Sequence, residues 1–303
     1  MRRPLPISVA IPTYRREAVL IDTLRYLLSL PDVAMEILVL DQTETHEFTT
    51  SIELENMEKS GQIRWIKLVE PSIPKAMNQA LIHANCDIVL FVDDDVRPES
   101  DLLVAHLHAH SLYAEALIAG RVIQPWQEGQ DFSRDSEFHF ASTKSREVDE
   151  FIGCNFSVHR RFSLAIGGFD ENFVKVAYRF EAEFAHRFRA ARHPIWFESS
   201  ACLHHLKSEV GGTRTFGDFL RTLRPDHSVG AYYFGLRTAN GLARFRTFLT
   251  RPVSSVMTRH HLRKPWWIPL TLVGEIRAML WAFVLFLRGP RLLTNSRLQS
   301  KNE

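Results

Sequence analysis

Residues 7 to 112 alternate between short apolar runs and amphipathic stretches, and that rhythm leaves few folds open. "ISVAIPT" (7–13), "MEILVLDQT" (35–43), "IRWIKLV" (63–69) and "DIVLFVDDD" (87–95) are apolar, largely β-branched, and predict strands. "EAVLIDTLRYLLSL" (17–30), "PKAMNQALIHA" (74–84) and "PESDLLVAHLHAHSL" (98–112) carry apolar residues at helical spacing. Pro31 ends the first of these helices and Pro74 opens the second. Strands apolar along their whole length are covered on both faces. The expectation is therefore an α/β fold with a mostly parallel sheet flanked by helices.

Beyond residue 120 the rhythm is irregular. "GCNFSVHR" (153–160) and "PIWFESSACLHH" (194–205) predict strands, and "FEAEFAHRFRAA" (180–191) predicts a helix. After "GGTR" (211–214) the pattern becomes helical, basic and aromatic, which suggests a body over 1–212 and a helical tail over 213–303. The tail holds fifteen Lys/Arg against four Asp/Glu, while the whole chain carries only +2, so the body is net −9. An acidic body with a basic tail suggests two roles, the tail meeting phosphate on nucleic acid or on a membrane. Cys86, Cys154 and Cys202 are sparse and show no metal-type spacing, which fits a reducing compartment. The basic N-terminus has only a short, proline-broken apolar run, unlike a secretory signal. The expected location is the cytoplasm, either in the cytosol or peripheral on the cytosolic face of a membrane.

Ligands of open α/β sheets sit at the carboxyl ends of the strands. Thr13, Asp41 and the triplet Asp93, Asp94, Asp95 all fall at such ends. Three adjacent carboxylates repel one another, and a divalent cation relieves that repulsion. Mg²⁺ and Mn²⁺ take hard oxygen ligands and often bridge one or two carboxylates to a substrate diphosphate. The bland alternative is a solvated turn whose aspartates cap the next helix. Asp94 is counted with Asp93 among the donor-binding candidates, although by period-two alternation it points away from its two neighbours. His106 and His110 lie one helical turn apart, but no acid or cysteine completes a metal site. Lys75 and Asn78, near a helix start, are candidates for phosphate contact.

"VAIPTYRR", "LVLDQT", "FVDDDVRPESDLL", "GCNFSVHRRFSLAIGGFDENF" and "CLHHLKSEVGGTR" occur in this order. Together they closely resemble the family-2 glycosyltransferases of GT-A fold, over about residues 6 to 215. The resemblance implies a nucleoside diphosphate sugar donor, Mn²⁺ or Mg²⁺, and transfer with inversion to a saccharide or lipid-linked saccharide hydroxyl. It implies donor contacts at Pro12, Thr13 and Arg15, with Asp41 receiving the nucleotide base. Asp93 matches the acid that meets ribose or sugar, and Asp95 the metal ligand. Gly168, Phe169 and Asp170 match the acceptor-side turn. His205 matches a histidine near the diphosphate or metal, with His204 as its rival. The family's catalytic Asp is replaced here. Anchoring "RFEAEFAHR" on Phe184 and Arg187 puts Glu181 in its place as the base, and Glu183 two residues on.

Two other classes stay open at this point. A nucleotidyltransferase would release pyrophosphate, and a non-catalytic nucleotide-sugar binder would show no turnover. No nucleic acid is expected, because it would not explain the acids. In the tail, "WWIPLTLVGEIRAMLWAFVLFL" (266–287) approaches the length of a membrane span, but Glu275 and Arg277 near its middle are costly in hydrocarbon. Two readings remain: a helix lying in an anionic membrane surface, or one packed on the body or on a second subunit.

Overall fold

Leu5–Thr13 (β1) shows why the strands read as unbroken apolar runs. Ile7, Val9 and Ile11 feed one apolar cluster and Ala10 feeds another on the opposite face of the sheet. Leu38 and Leu40 likewise part from Ile37 and Val39, and Phe91 from Leu90. Each strand is thus buried on both sides, as a sheet between two helical layers requires.

The computed structural model describes residues 4–133, 137–217, 220 and 222–294; residues 295–303 of the tail lie outside it. After β1 come α1 (Ala18–Ser29), β2 (Ala34–Asp41), α2 (Phe48–Lys59), β3 (Arg64–Lys67), α3 (Ile73–His83) and β4 (Ile88–Val92). Then follow β5 (Val96–Pro98), α4 (Leu102–Leu112), β6 (Leu117–Ile123), β7 (Arg146–Val148), β8 (Asn155–His159) and α5 (Arg160–Ala165). The body ends with α6 (Phe180–Ala190) and β9 (Ile195–His205). The sheet order is β3-β2-β1-β4-β8-β6-β9-β5, with β7 on β9. β3, β2, β1 and β4 are parallel, as are β6 and β9, whereas β8 and β5 run against their neighbours.

Two boundaries move in ways that matter. β4 stops at Val92, so the three aspartates lie on the turn beyond it rather than in the strand. That turn feeds β5, and α4 begins only at Leu102.

The tail forms α7 (Val229–Thr238), α8 (Arg246–Val256), α9 (Arg259–Arg263) and α10 (Ile268–Arg288). Tyr232 and Tyr233 of α7 and Ala278, Ala282 and Leu285 of α10 belong to the same apolar cluster as Met77 of α3 and Phe184 of α6. One face of the tail is therefore built into the body's core. Burying a side chain the size of Leu285 contributes about 1.5–3 kcal/mol. Beyond α10 the chain returns to the body, where the Leu293 N–H donates to the Gly167 carbonyl.

Candidate active site

Sheet register assembles the acidic turn with its partners. Thr13 pairs with Asp41 across β1 and β2, and Val96 pairs with His205 across β5 and β9. The Leu206 N–H donates to the Asp95 carbonyl at 2.8 Å, which fixes His205 beside that aspartate. Asn155 pairs with Val92, so Gly153 and Cys154 run alongside Asp93.

Asp93, Asp95 and His205 offer ligand atoms that all lie within 4.8 Å of one another. His205 Nε2 is 3.2 Å from Asp95 Oδ1 and 3.6 Å from Asp93 Oδ2. Burial pushes the Asp95 carboxyl up. The hydrogen bond and charge of His205, the charge of Arg16 and the Ser208 N–H outweigh burial and hold it below the usual carboxylate range. Burial works the other way on His205, but the two aspartates raise it. The donor set, two carboxylates and one imidazole, suits a divalent cation. His204, the rival, turns away: its ring nitrogens meet Glu99 at 2.7 Å and Glu128 at 2.6 Å.

Asp94 departs from expectation. Strand alternation does not extend past Val92, and Asp94 is buried on the same cavity as Asp93. It accepts from Thr13 Oγ1 at 2.7 Å and from Arg16 Nε at 3.1 Å. Burial still pushes its carboxyl up to about 7. Arg16 also reaches Asp95 Oδ2 at 3.3 Å and the Val210 carbonyl. Sequence reasoning named its neighbour Arg15, which is exposed and has φ +53°; that left-handed residue re-aims the chain and sends Arg16 inward. Gly211 closes the same junction. Its φ is +77°, and a Cβ there would meet the Arg15 carbonyl oxygen at 2.0 Å.

Three cavities meet at Asp93, and the third, about 1260 Å³, is also lined by Arg16, Asp95 and His205. The first, with about 690 Å³ of open space, is lined by Pro12, Thr13, Arg16, Gln42, Asp93 and Asp94 among others. Asp41 does not line it. Its Oδ2 accepts from His46 Nε2 and Trp65 Nε1, both at 2.8 Å, and its Oδ1 from the Thr43 N–H. With both oxygens engaged inside the protein, Asp41 shapes the pocket from behind, and Gln42 is the residue that faces it. The second cavity, about 1070 Å³, holds Asp93, His205, Lys207 and Glu181.

Glu181 and Glu183 separate cleanly. Glu183 is 1% exposed and grips Arg187 through two bonds of 2.8 Å, with Arg237 at 3.5 Å. Glu181 lies in the first turn of α6, facing the cleft. Burial pushes its carboxyl up to about 7, so it titrates near neutrality. A Cβ on Gly153 would sit 2.8 Å from Glu181 Oε1, so the glycine makes room for the carboxylate. The approach to α6 is strained: Lys175, Ala177 and Arg179 have φ of +62°, +55° and +72°. Left-handed backbone outside glycine costs about 1–2 kcal/mol per residue and gathers at functional sites.

Other expected contacts lie elsewhere. Asn78 is fully buried, donates to the Phe169 carbonyl at 2.9 Å and accepts from the Phe169 N–H at 2.8 Å. It clamps the 167–170 turn and offers nothing to a phosphate. Phe169 is a core ring stacked on Phe184. Gly168 packs against Asn78 and Leu293. Asp170 accepts from Tyr233 and from the Arg291 N–H, so this turn joins the body to the tail instead of facing the cleft. Lys75 pairs with Glu70. His106 and His110 share Ser157 in a buried network that burial keeps uncharged, pushing them down to about 4 and about 3.

The sheet that gathers these carboxylates, a buried arginine and a near-neutral glutamate around adjoining cavities has the fold of a GT-A glycosyltransferase. Residues 8–169 match the model of glycosyl transferase family 2, and the chain belongs to that family. A mannosyltransferase, PcManGT, from Pyrobaculum calidifontis in complex with GDP-Man and Mn²⁺, is 17% identical. It superposes with a TM-score of 0.56, covering 95% of this chain and 81% of that one. S. aureus TarS 1-349 in complex with UDP-GlcNAc is 14% identical with a TM-score of 0.59, covering 94% and 92%. GalNAc-T7 with UDP, GalNAc and Mn²⁺ is 10% identical at a TM-score of 0.53, covering 66% of this chain and 42% of that chain. None of the curated proteins matches.

Proposed function

We propose that this glycosyltransferase moves a sugar from a nucleoside diphosphate donor to an acceptor hydroxyl, with inversion at the anomeric carbon. The acceptor is taken to be a saccharide or lipid-linked saccharide. The observation that carries the reading is Asp93, shared by the cavity of Thr13, Arg16 and Gln42 and by the cavity of Glu181. A donor laid across Asp93 puts its nucleotide in the first and its sugar in the second. The solved structures of similar fold hold UDP or GDP-Man, UDP-GlcNAc and Mn²⁺, which supports this donor class.

Asp93, Asp95 and His205 would hold Mn²⁺ or Mg²⁺. A divalent cation held there would supply positive charge to the leaving diphosphate. Arg16 holds Asp94 and Asp95 in place and ties them to the 208–210 segment. Glu181, ionised, accepts the acceptor's hydroxyl proton as that oxygen attacks the anomeric carbon and the bond to the diphosphate breaks. Glu150, also on this cavity, is taken up by Arg179 at 3.0 Å, which leaves Glu181 as the available base. Direct displacement of this kind inverts the anomeric centre.

The test is nucleoside diphosphate release from UDP- and GDP-linked sugars with Mn²⁺ or Mg²⁺, scanned over saccharide acceptors. The expected result is metal-dependent release with one donor class, lost in Asp95→Ala. Pyrophosphate release, or donor binding without turnover across the scan, would overturn the reading.

A further inference from the structure

The outer surface of the tail inverts the usual pattern of a soluble helix. Val273, Ile276, Leu280, Phe283 and Leu287 are 39–68% exposed and recur at helical spacing along α10. α8 packs beside α10 and carries its own exposed stripe, with Leu249 at 77%, Val253 at 55% and Met257 just beyond it at 73%. Exposed apolar stripes on two neighbouring helices mark a contact face.

Its surroundings say what covers it. From residue 227 to 294 the only acid is Glu275. That acid is 4% exposed and held by Ser228 at 2.6 Å, Tyr232 at 2.5 Å and Arg251 at 3.4 Å. The exposed charges of the segment from α8 to the end of α10 are all cationic: Arg246, Arg259, Arg263, Lys264, Arg277 and Arg288. Surfaces that face water or protein normally interleave both signs. An apolar face with a purely cationic rim complements an anionic bilayer, acyl chains against the stripe and lipid phosphates against the arginines. Trp266, 64% exposed in the turn just before α10, is a residue suited to the headgroup level. Pro265–Arg288 is long and apolar enough to cross a membrane, but its inner face is packed on α7 and Glu275 is fixed to the body.

We infer that α8 and α10 form an in-plane docking face for a membrane rich in anionic lipid. The inference is independent of the sugar chemistry. Its test is cosedimentation of the full chain with vesicles of phosphatidylcholine alone or mixed with phosphatidylglycerol. Binding to the mixed vesicles is expected, weakening as salt rises. Leu249→Glu with Leu280→Glu should lower the partition coefficient at least about tenfold. Both sites are exposed, so the melting temperature should hold, and Arg259→Gln with Arg263→Gln gives a second variant that spares the apolar stripe. Failure to bind mixed vesicles, or wild-type binding by both variants, would overturn it. So would concentration-dependent self-association in sedimentation velocity that the Leu→Glu pair abolishes while vesicle binding is absent; a second copy would then be the occupant.

Discussion

The cleft and the junction between sheet body and C-terminal helices treat buried carboxylates in opposite ways. At the junction, Asp170, Glu183 and Glu275 each meet a closed set of donors: Tyr233 and the Arg291 N–H, Arg187 and Arg237, Ser228 with Tyr232 and Arg251. In the cleft, burial pushes Asp94 and Glu181 up to about 7 and Asp93 up to about 6, while their neighbour Asp95 is held low by His205, Arg16 and the Ser208 N–H. Satisfied acids hold the fold together. Acids left at odds with their surroundings are a standing cost to stability, and they persist where a ligand or a reaction uses them.

The contrast can be broken from the junction side first. Glu183→Ala removes one partner of a buried pair and should lower unfolding free energy by about 3–5 kcal/mol in urea titration. A loss below about 1 kcal/mol would erase the distinction between the regions. On the cleft side, Asp95→Ala should weaken Mn²⁺-dependent nucleotide binding by more than about 100-fold in calorimetry, since even outer partners of metal ligands are worth 10–100-fold. Unchanged affinity would remove Asp95 as a metal ligand. Asn78→Ala sharpens the border between the two. It strands the Phe169 backbone groups and should lower stability by about 1–3 kcal/mol, with nucleotide affinity unchanged. A fall in affinity without a fall in stability would return Asn78 to the donor site.

Much of this was legible in the sequence, for physical reasons. The apolar runs gave the parallel strands because burial on both faces leaves no alternation to confuse. α2 was missed because only Thr50, Leu54 and Met57 of its twelve residues are buried, which is too thin a stripe to register. The antiparallel course of β8 was hidden, since strand direction leaves no mark on composition. The acid triplet marked the rim, yet the choice of Arg16 over Arg15 depends on one positive φ, and Gln42 over Asp41 on the partners His46 and Trp65. Adjacency to the named residues was the only signal for either. Asn78 and the 168–170 turn were misplaced for a shared reason: they bond to each other and face inward. For the tail, hydropathy announced an apolar helix, but only burial shows that one face is core and the other open.

The central claim is that Glu181 is the base, and its most direct test is the pH profile of transfer in wild type, Glu181→Gln and Glu183→Gln. A base must be ionised to accept a proton, so wild-type kcat/KM should rise about tenfold per pH unit below about 7 and level above it. Glu181→Gln should cut transfer by about 10²–10⁴-fold, flatten that rise and leave donor affinity intact. Glu183→Gln should keep the rise. A Glu181→Gln enzyme that retains both the rate and the rise would contradict the account.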